Sequence, residues 1–275
     1  MNLFSNYVST IFEKNEKSKS NSHKECQVVT FLTLKGGVGK TTLACSLAKE
    51  LSEKNKSVIM LDLDPQGNLS LFFNHLHETN HESIYNILFD GAQIKNAIKK
   101  TNFKNVHVIH ANDELSLLNQ LAQKKHINRF SQLIQFLKTT YDFIIIDCPP
   151  TSSVLHAMSV MNSNYVFSPM FLDTFSLQGI IKTIADVSDI KLKYGINLLH
   201  KIIFNKVNSI DPLIVERANK IREIIPSNYW LASISDKGSE FNFESDSVPE
   251  LQGIIEFLEL GRASEQSINV LPTKY

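Results

Sequence analysis

From Gln27 onward the chain alternates between two patterns of apolar and polar positions. Short continuous apolar runs, "VVTFLT", "SVIMLDL", "VHVIH", "FIIIDC", "YVFSPM" and "KIIFNKV", predict strands buried on both faces. Between them, "TTLACSLAKELSEKN", "INRFSQLIQFLKTT" and "DPLIVERANKIREII" repeat apolar residues at helical spacing. Strand and helix in alternation predict an α/β fold, a mostly parallel sheet with right-handed crossovers and helices on its flanks. No repeat or internal boundary is visible from residue 26 to residue 275, which are expected to form one domain. Ahead of it, Leu3, Phe4, Tyr7, Val8, Ile11 and Phe12 line one face of a helix, and the polar stretch "KNEKSKSNSHKE" follows. Residues 1–25 are therefore expected to be an amphipathic helix on a linker. Its polar face (Asn2, Ser5, Asn6, Ser9, Thr10) lacks the basic residues that hold a helix on an anionic membrane, so a protein surface is the expected dock: a partner, a second copy, or the domain itself.

Bulk composition narrows the class. The chain has 275 residues, 43% of them apolar, enough for a sizeable core. It contains no apolar run long enough for a membrane span, and its first residues lack the basic head and apolar centre of a secretory signal. The three cysteines, Cys26, Cys45 and Cys148, have no metal-ligand spacing and are expected to be reduced thiols in a cytosolic protein. Net charge is zero but unevenly distributed. Asp90 to Thr140 holds eight basic residues against three acidic, and Asp236 to Glu265 holds two against eight. Such imbalances describe either solvated faces or a basic surface that meets an anionic polymer.

The stretch "TLKGGVGKTT" at residues 33 to 42 lies between a predicted strand and a predicted helix. A loop so bare can turn its N–H groups inward around phosphates, with the helix N-terminus adding positive field. Gly36, Gly37, Val38 and Gly39 would form that cradle, Lys40 would reach the outer phosphates, and the hydroxyls of Thr41 and Thr42 close it, Thr41 as a Mg²⁺ ligand. The usual phosphate-loop pattern begins with glycine where this chain has Leu34, and the next residue is a second lysine, Lys35. Asp62 and Asp64 in "MLDLDPQGN" fall on one face at the end of a strand, placed to hold Mg²⁺ through water or to orient an attacking water. Asp147 closes "YDFIIIDCPP" in the form of a magnesium-associated acid on a buried strand.

"KGGVGKTT", "DLDPQGN" and "YDFIIIDCPP", in this order, resemble the deviant Walker A, A′ and B motifs of ParA-type partition ATPases, relatives of MinD within the P-loop proteins. The likeness runs from about Val28 to Glu223 and includes "SPMFLDTFSLQGI" after the third motif. What the resemblance implies is a P-loop ATPase that binds ATP and Mg²⁺, forms a homodimer with ATP, binds non-specific DNA in that state, and is released by hydrolysis that a ParB-like centromere-binding protein stimulates. The setting it implies is cytoplasmic and nucleoid-associated. In this family a signature lysine, here Lys35, reaches the phosphates of the facing subunit. Asp64 matches the acid tied to the hydrolytic water, Asp147 the Walker B acid, and Asn205 an asparagine that contacts adenine. The catalytic set implied is thus Lys35, Asp64 and Asp147.

The end of the chain departs from the family, with "WLASISDKGSEFNFESDS" where relatives carry a proline, an arginine and basic character. DNA-binding candidates are then Arg217, Lys220 and Arg222 on one predicted helix, plus Lys237, with Lys95, Lys99, Lys100 and Lys104 as an alternative surface. A MinD-like membrane-positioning ATPase is the alternative class, but the acidic C-terminal stripe would repel anionic lipid. "HLHETNH" brings His75, His77 and His81 together without an obvious fourth metal ligand. Cys148, Trp230 and the phenylalanines are read as core.

Overall fold

The computed structural model describes residues 25–73, 82–207, 211–235 and 248–260. The expected N-terminal helix and nearly all of its linker lie outside the described residues, as do His75, His77, His81, Lys237 and the final residues. Eight strands form one sheet: β1 (Gln27–Phe31), β2 (Val58–Asp62), β3 (Lys99–Lys100), β4 (Val106–Ile109), β5 (Phe143–Asp147), β6 (Tyr165–Met170), β7 (Leu199–Val207) and β8 (Trp230–Ser235). Their order is β3-β4-β2-β5-β1-β6-β7-β8, and every pair is parallel except β3 with β4.

The central strands bury both faces because alternate residues feed two different cores. Val28, Ile59, Leu61, Ile144 and Ile146 point to one side, and Val29, Phe31, Val58, Met60 and Ile145 to the other. The first side is covered by α2 (Lys124–Lys138), α3 (Val154–Asn162) and α4 (Thr174–Tyr194), the second by α1 (Lys40–Glu53) and α6 (Leu251–Leu260). A third core, under α5 (Pro212–Ile224), joins Phe204, Ile221 and Ile225 beside β7. Helix starts are encoded locally. Ser153 caps α3, Asp173 caps α4, and Asp211 with Pro212 opens α5. Gly195, at φ 63°, ends α4 in the left-handed region.

Register places the chemistry. Asp62 and Asp147 are paired residues on β2 and β5, and Asp147 also pairs with Phe31, the last residue of β1. All three strands thus deliver their carboxyl ends to one place, where the order reverses around β1.

Candidate nucleotide site at the carboxyl end of the sheet

The chain leaves β1, loops through residues 32–39 and enters α1. Gly37 (φ 74°) and Gly39 (φ 95°) hold the left-handed conformation that lets this loop turn back on itself. A Cβ on Gly39 would fall 2.3 Å from Asn205 Nδ2, so only glycine fits there. Gly36 and Gly37 are exposed with open space above them, a bare backbone rim. The first turn of α1 carries no acidic residue to neutralise its positive end. Lys40 curls across the loop, its Nζ donating to the Lys35 carbonyl at 3.4 Å. Burial lowers the Lys40 pKa, opposed by the charges of Asp147 and Asp64.

Three carboxylates stand below the loop in three different environments. Asp147 Oδ2 accepts the Thr41 hydroxyl at 2.6 Å, whereas its buried Oδ1 has no hydrogen-bond partner. Burial pushes its pKa up to about 7 against the pull of Thr41 and Lys40. Asp62 is fully buried and raised to about 8 by burial and the Asp147 charge. Its oxygens accept the Asp64 N–H (3.1 Å), the Ser70 N–H (3.0 Å) and the Ser70 hydroxyl (2.9 Å). Asp62 therefore fixes the turn that carries Asp64, and the direct ligand positions that remain are Thr41 and Asp147. An orphaned buried carboxylate oxygen beside a hydroxyl, in a pocket that raises carboxylate pKa values, fits a hard divalent cation such as Mg²⁺. Asp64 Oδ1 accepts the Gln66 N–H at 3.0 Å, and the Asp64 charge acts on Lys40.

Lys35 points elsewhere. Its Nζ lies 2.9 and 3.1 Å from the two Asp173 oxygens, 2.8 Å from Ser176 Oγ, and 5.9 Å from the centre of the Phe175 ring. The loop is seated on α4 by two further contacts: Leu34 N–H donates to Thr183 Oγ1 at 3.1 Å, and Gly179 leaves room for the Lys35 stem. Burial works against the Asp173 charge, but Lys35 and the Ser176 donors outweigh it and hold that carboxyl below the usual range. Asp173 and Ser176 escaped the sequence reading because they lie 138 and 141 residues from Lys35. Asn205 does reach the loop, donating from Nδ2 to the Val38 carbonyl at 2.9 Å, so here it braces the cradle.

The DNA-binding candidates separate. Arg217 and Lys220 are exposed on α5, with Lys220 paired to Glu216 at 2.6 Å. Arg222 instead folds inward over the Phe204 ring, 5.5 Å from its centre. Lys95, Lys100 and Lys104 are exposed near β3, at the opposite edge of the sheet. Cys148 is a core residue as expected, its thiol pushed up to about 12 by burial. Phe175 is not core: it is 76% exposed, because the β6–α4 connection sets it on the rim beside Lys35. Trp230 is half-buried.

A parallel sheet whose carboxyl ends hold a glycine loop, a lysine over it, and a Thr–Asp pair beneath defines a P-loop nucleotide-binding protein, and the extra lysine at the loop's start defines its deviant class. The AAA_31 family model, described as an AAA domain, matches residues 26–199, and the chain belongs to that family. Within it the chain resembles partition proteins of the ParA type. It is 31% identical over 176 residues to the chromosome-partitioning ATPase Soj of Treponema pallidum (strain Nichols), covering 62% of this chain and 66% of that protein. It is likewise 31% identical over 159 residues to the sporulation initiation inhibitor protein Soj of Bacillus subtilis (strain 168), covering 56% and 62%. The match thus spans somewhat under two thirds of the curated relatives' length. A putative plasmid partition protein from Borrelia burgdorferi B31, solved with AMPPNP, shares the fold at TM-score 0.72 and 23% identity, covering 86% of this chain and all of that one. An ATP complex of a McdA variant from Cyanothece does so at TM-score 0.74 and 21% identity, covering 91% of this chain and all of that one.

Proposed function

We propose that this chain is a partition ATPase that uses Mg·ATP to control its own pairing and its hold on DNA. The observation that carries the reading is the division between two lysines of one loop. Lys40 turns inward, over the place a bound nucleotide's phosphates would take, and Lys35 turns outward to the rim. A lysine outside its own cradle is useful to a second nucleotide in a facing copy. Exposed apolar side chains support such a face. Leu71, Leu117, Leu121, Phe175 and Leu213 are exposed and lie in the segments that follow strands β2, β4, β6 and β7.

In this reading the loop N–H groups and Lys40 bind the phosphates, and Thr41 with Asp147 would hold Mg²⁺. The ion, when bound, supplies charge neutralisation between phosphate oxygens. Asp64 orients the attacking water, and Lys35 of the facing copy completes the charge clamp. Phosphoryl transfer asks for positioning and electrostatics more than covalent help, so a site completed by pairing hydrolyses only in the pair. The ATP-bound pair binds non-specific DNA in the cytoplasm, and a ParB-like partner bound to a centromere site stimulates hydrolysis and release.

The test combines light scattering with phosphate release. ATP but not ADP should double the scattering mass of the parent. Asp64→Ala should hold the ATP-bound pair while phosphate release falls by at least about tenfold, ~1.4 kcal/mol of barrier. Turnover at the parent rate in Asp64→Ala would reject the role of that residue, and an ATP-insensitive mass would reject the pairing cycle.

A further inference from the structure

Between the first turn of α3 and the second half of α4 lies a cleft of about 300 Å³, room for a small organic group. Its polar lining comes from Ser152 and His156 on one side and from Asp186, Asp189, Lys193 and Tyr194 on the other. The function proposed above assigns it nothing. We propose that this cleft binds a guanidinium group, carried by a free small molecule or by an arginine side chain of a peptide.

The buried end of the cleft supplies an acceptor. His156 is 3% exposed and lines the cleft. Its Nε2 lies 2.9 Å from the Pro149 carbonyl, which can only accept, so Nε2 carries the proton. Burial lowers the pKa of the ring, which is therefore neutral at pH 7. Nδ1 is then a bare acceptor with no hydrogen-bond partner among the described residues. The rim supplies charge. Asp186 and Asp189, three residues apart on one side of α4, take no hydrogen bond or ion pair among the described residues. The Asp186 charge acts on His156, so carboxylate and ring nitrogen serve one space. Lys193 pairs with neither carboxylate, its Nζ standing 5.2 Å from the centre of the Tyr194 ring. Two carboxylates against one lysine leave the cleft negative, which excludes an anion.

Among cations, the lining favours a guanidinium. A metal ion is a poor fit, since no group of three or more His, Cys, Asp or Glu side chains gathers among the described residues. An ammonium would be satisfied by the carboxylates at the rim and would leave Nδ1 unused. A guanidinium carries five donors in a rigid plane, so it can bond a carboxylate and a ring nitrogen together and lie against an aromatic face such as Tyr194. An occupant would tie the turn at Pro149, two residues beyond Asp147, to the helix whose first turn holds Lys35.

The test uses the full chain without nucleotide, so its result is independent of the ATPase cycle. Butylguanidine, as the free compound, and acetyl-Gly-Arg-Gly-amide, as the peptide, are titrated by calorimetry, with amide shifts recorded by NMR. At least one should bind saturably, at least about tenfold tighter than butylamine of the same charge, about 1.4 kcal/mol. The tighter of the two probes assigns the source of the group. The shifts should centre on residues 152–157 and 186–194. Asp186→Asn with Asp189→Asn should weaken binding by at least about tenfold at an unchanged melting temperature. Asp186→Asn alone should weaken it in part, and Glu256→Gln, on α6 across the sheet, should not change it. No saturable binding of either probe, equal affinity for butylamine, shifts confined to other residues, or parental affinity in the double variant would each overturn the proposal.

Discussion

Lys35 and Lys40 sit five residues apart and differ in what surrounds them. Lys40 is 7% exposed and aims into its own loop, whereas Lys35 is partly exposed and held by Asp173 and Ser176. Removing Lys35 should therefore leave the subunit's own phosphate cradle intact. Lys35→Ala is expected to change affinity for a fluorescent ATP analogue by less than about threefold and to weaken ATP-dependent pairing by at least tenfold, roughly 1.4 kcal/mol, seen by light scattering across a concentration series. A second single-residue prediction concerns pH. His200 is buried and its Nε2 lies 2.8 Å from Ser168 Oγ, which donates to the Leu32 carbonyl. The ring therefore donates from Nε2, and Nδ1 has no partner to receive an added proton. Burial, with help from the Lys191 charge, lowers its pKa from 6.5 to about 3. The unfolded chain takes up the proton first as pH falls, so this contribution is complete above pH 6.5 and is lost on the way down towards pH 3. Between pH 6.5 and 5 the loss is about 2 kcal/mol, or several °C in Tm for a chain of this size. The stability advantage of the parent over His200→Gln should therefore shrink by about 2 kcal/mol as pH falls from 6.5 to 5, read from melts of both proteins at each pH. Asp62 and Asp147 act with the opposite sign but equally in both proteins, so the difference isolates His200.

At the scale of elements, α4 joins two tasks at one residue. Asp173 caps the helix, accepting the Ser176 N–H at 2.7 Å, and its carboxylate holds Lys35. Asp173→Ala should cost about 1 kcal/mol of stability through the lost cap. That is a fall of about 2–4 °C in Tm. Asp173→Asn can still accept the Ser176 N–H and should recover most of the melting temperature. A melt in which Asn is no better than Ala would show that the ion pair, and not the cap, carries the stability. The strands of this fold were legible in the sequence because buried parallel strands are continuous apolar runs, and each of the six quoted runs overlaps one of the strands β1, β2, β4, β5, β6 or β7. The phosphate loop, Asp64 and Asp147 were legible because they are contiguous with those strands. Helix α4 was not, since its apolar residues are spread around the helix and only a narrow set, such as Ile180 and Val187, is buried. Nor was β3, a two-residue edge strand, or the exposure of Phe175, which depends on how the β6–α4 connection meets Lys35. Asp62 reads in sequence as a carboxylate that holds Mg²⁺ through water, and its bonds from Ser70, eight residues on, were not visible at that stage because they depend on how the turn after β2 folds back.

Across the whole molecule, the sheet order separates the two basic regions that the sequence offered for DNA. Arg217 and Lys220 lie on α5 beside the β7–β8 edge, and Lys95, Lys100 and Lys104 lie near β3 at the other end. One flat contact with a duplex cannot use both edges of a single subunit equally. Pairing through the carboxyl-end rim favours α5, because its first turn, with exposed Leu213, stands on that rim and the helix runs back from it. A paired molecule would then present an α5 from each copy to the same polymer. Each phosphate contact on duplex DNA contributes about 0.9 to the slope of log affinity against log salt. Arg217→Ala with Lys220→Ala removes two candidate contacts per copy, so the slope should fall by about 3 to 4 for the pair, with ATP-dependent binding to random-sequence DNA weakened at low salt. Lys100→Ala with Lys104→Ala should leave slope and affinity near parental values. The reverse pattern would move the DNA to the β3 edge and require the pair to close in another orientation. Unchanged binding in both variants would place the contact on residues outside α5 and β3, and Lys237, in the connection after β8, would be the next residue to substitute.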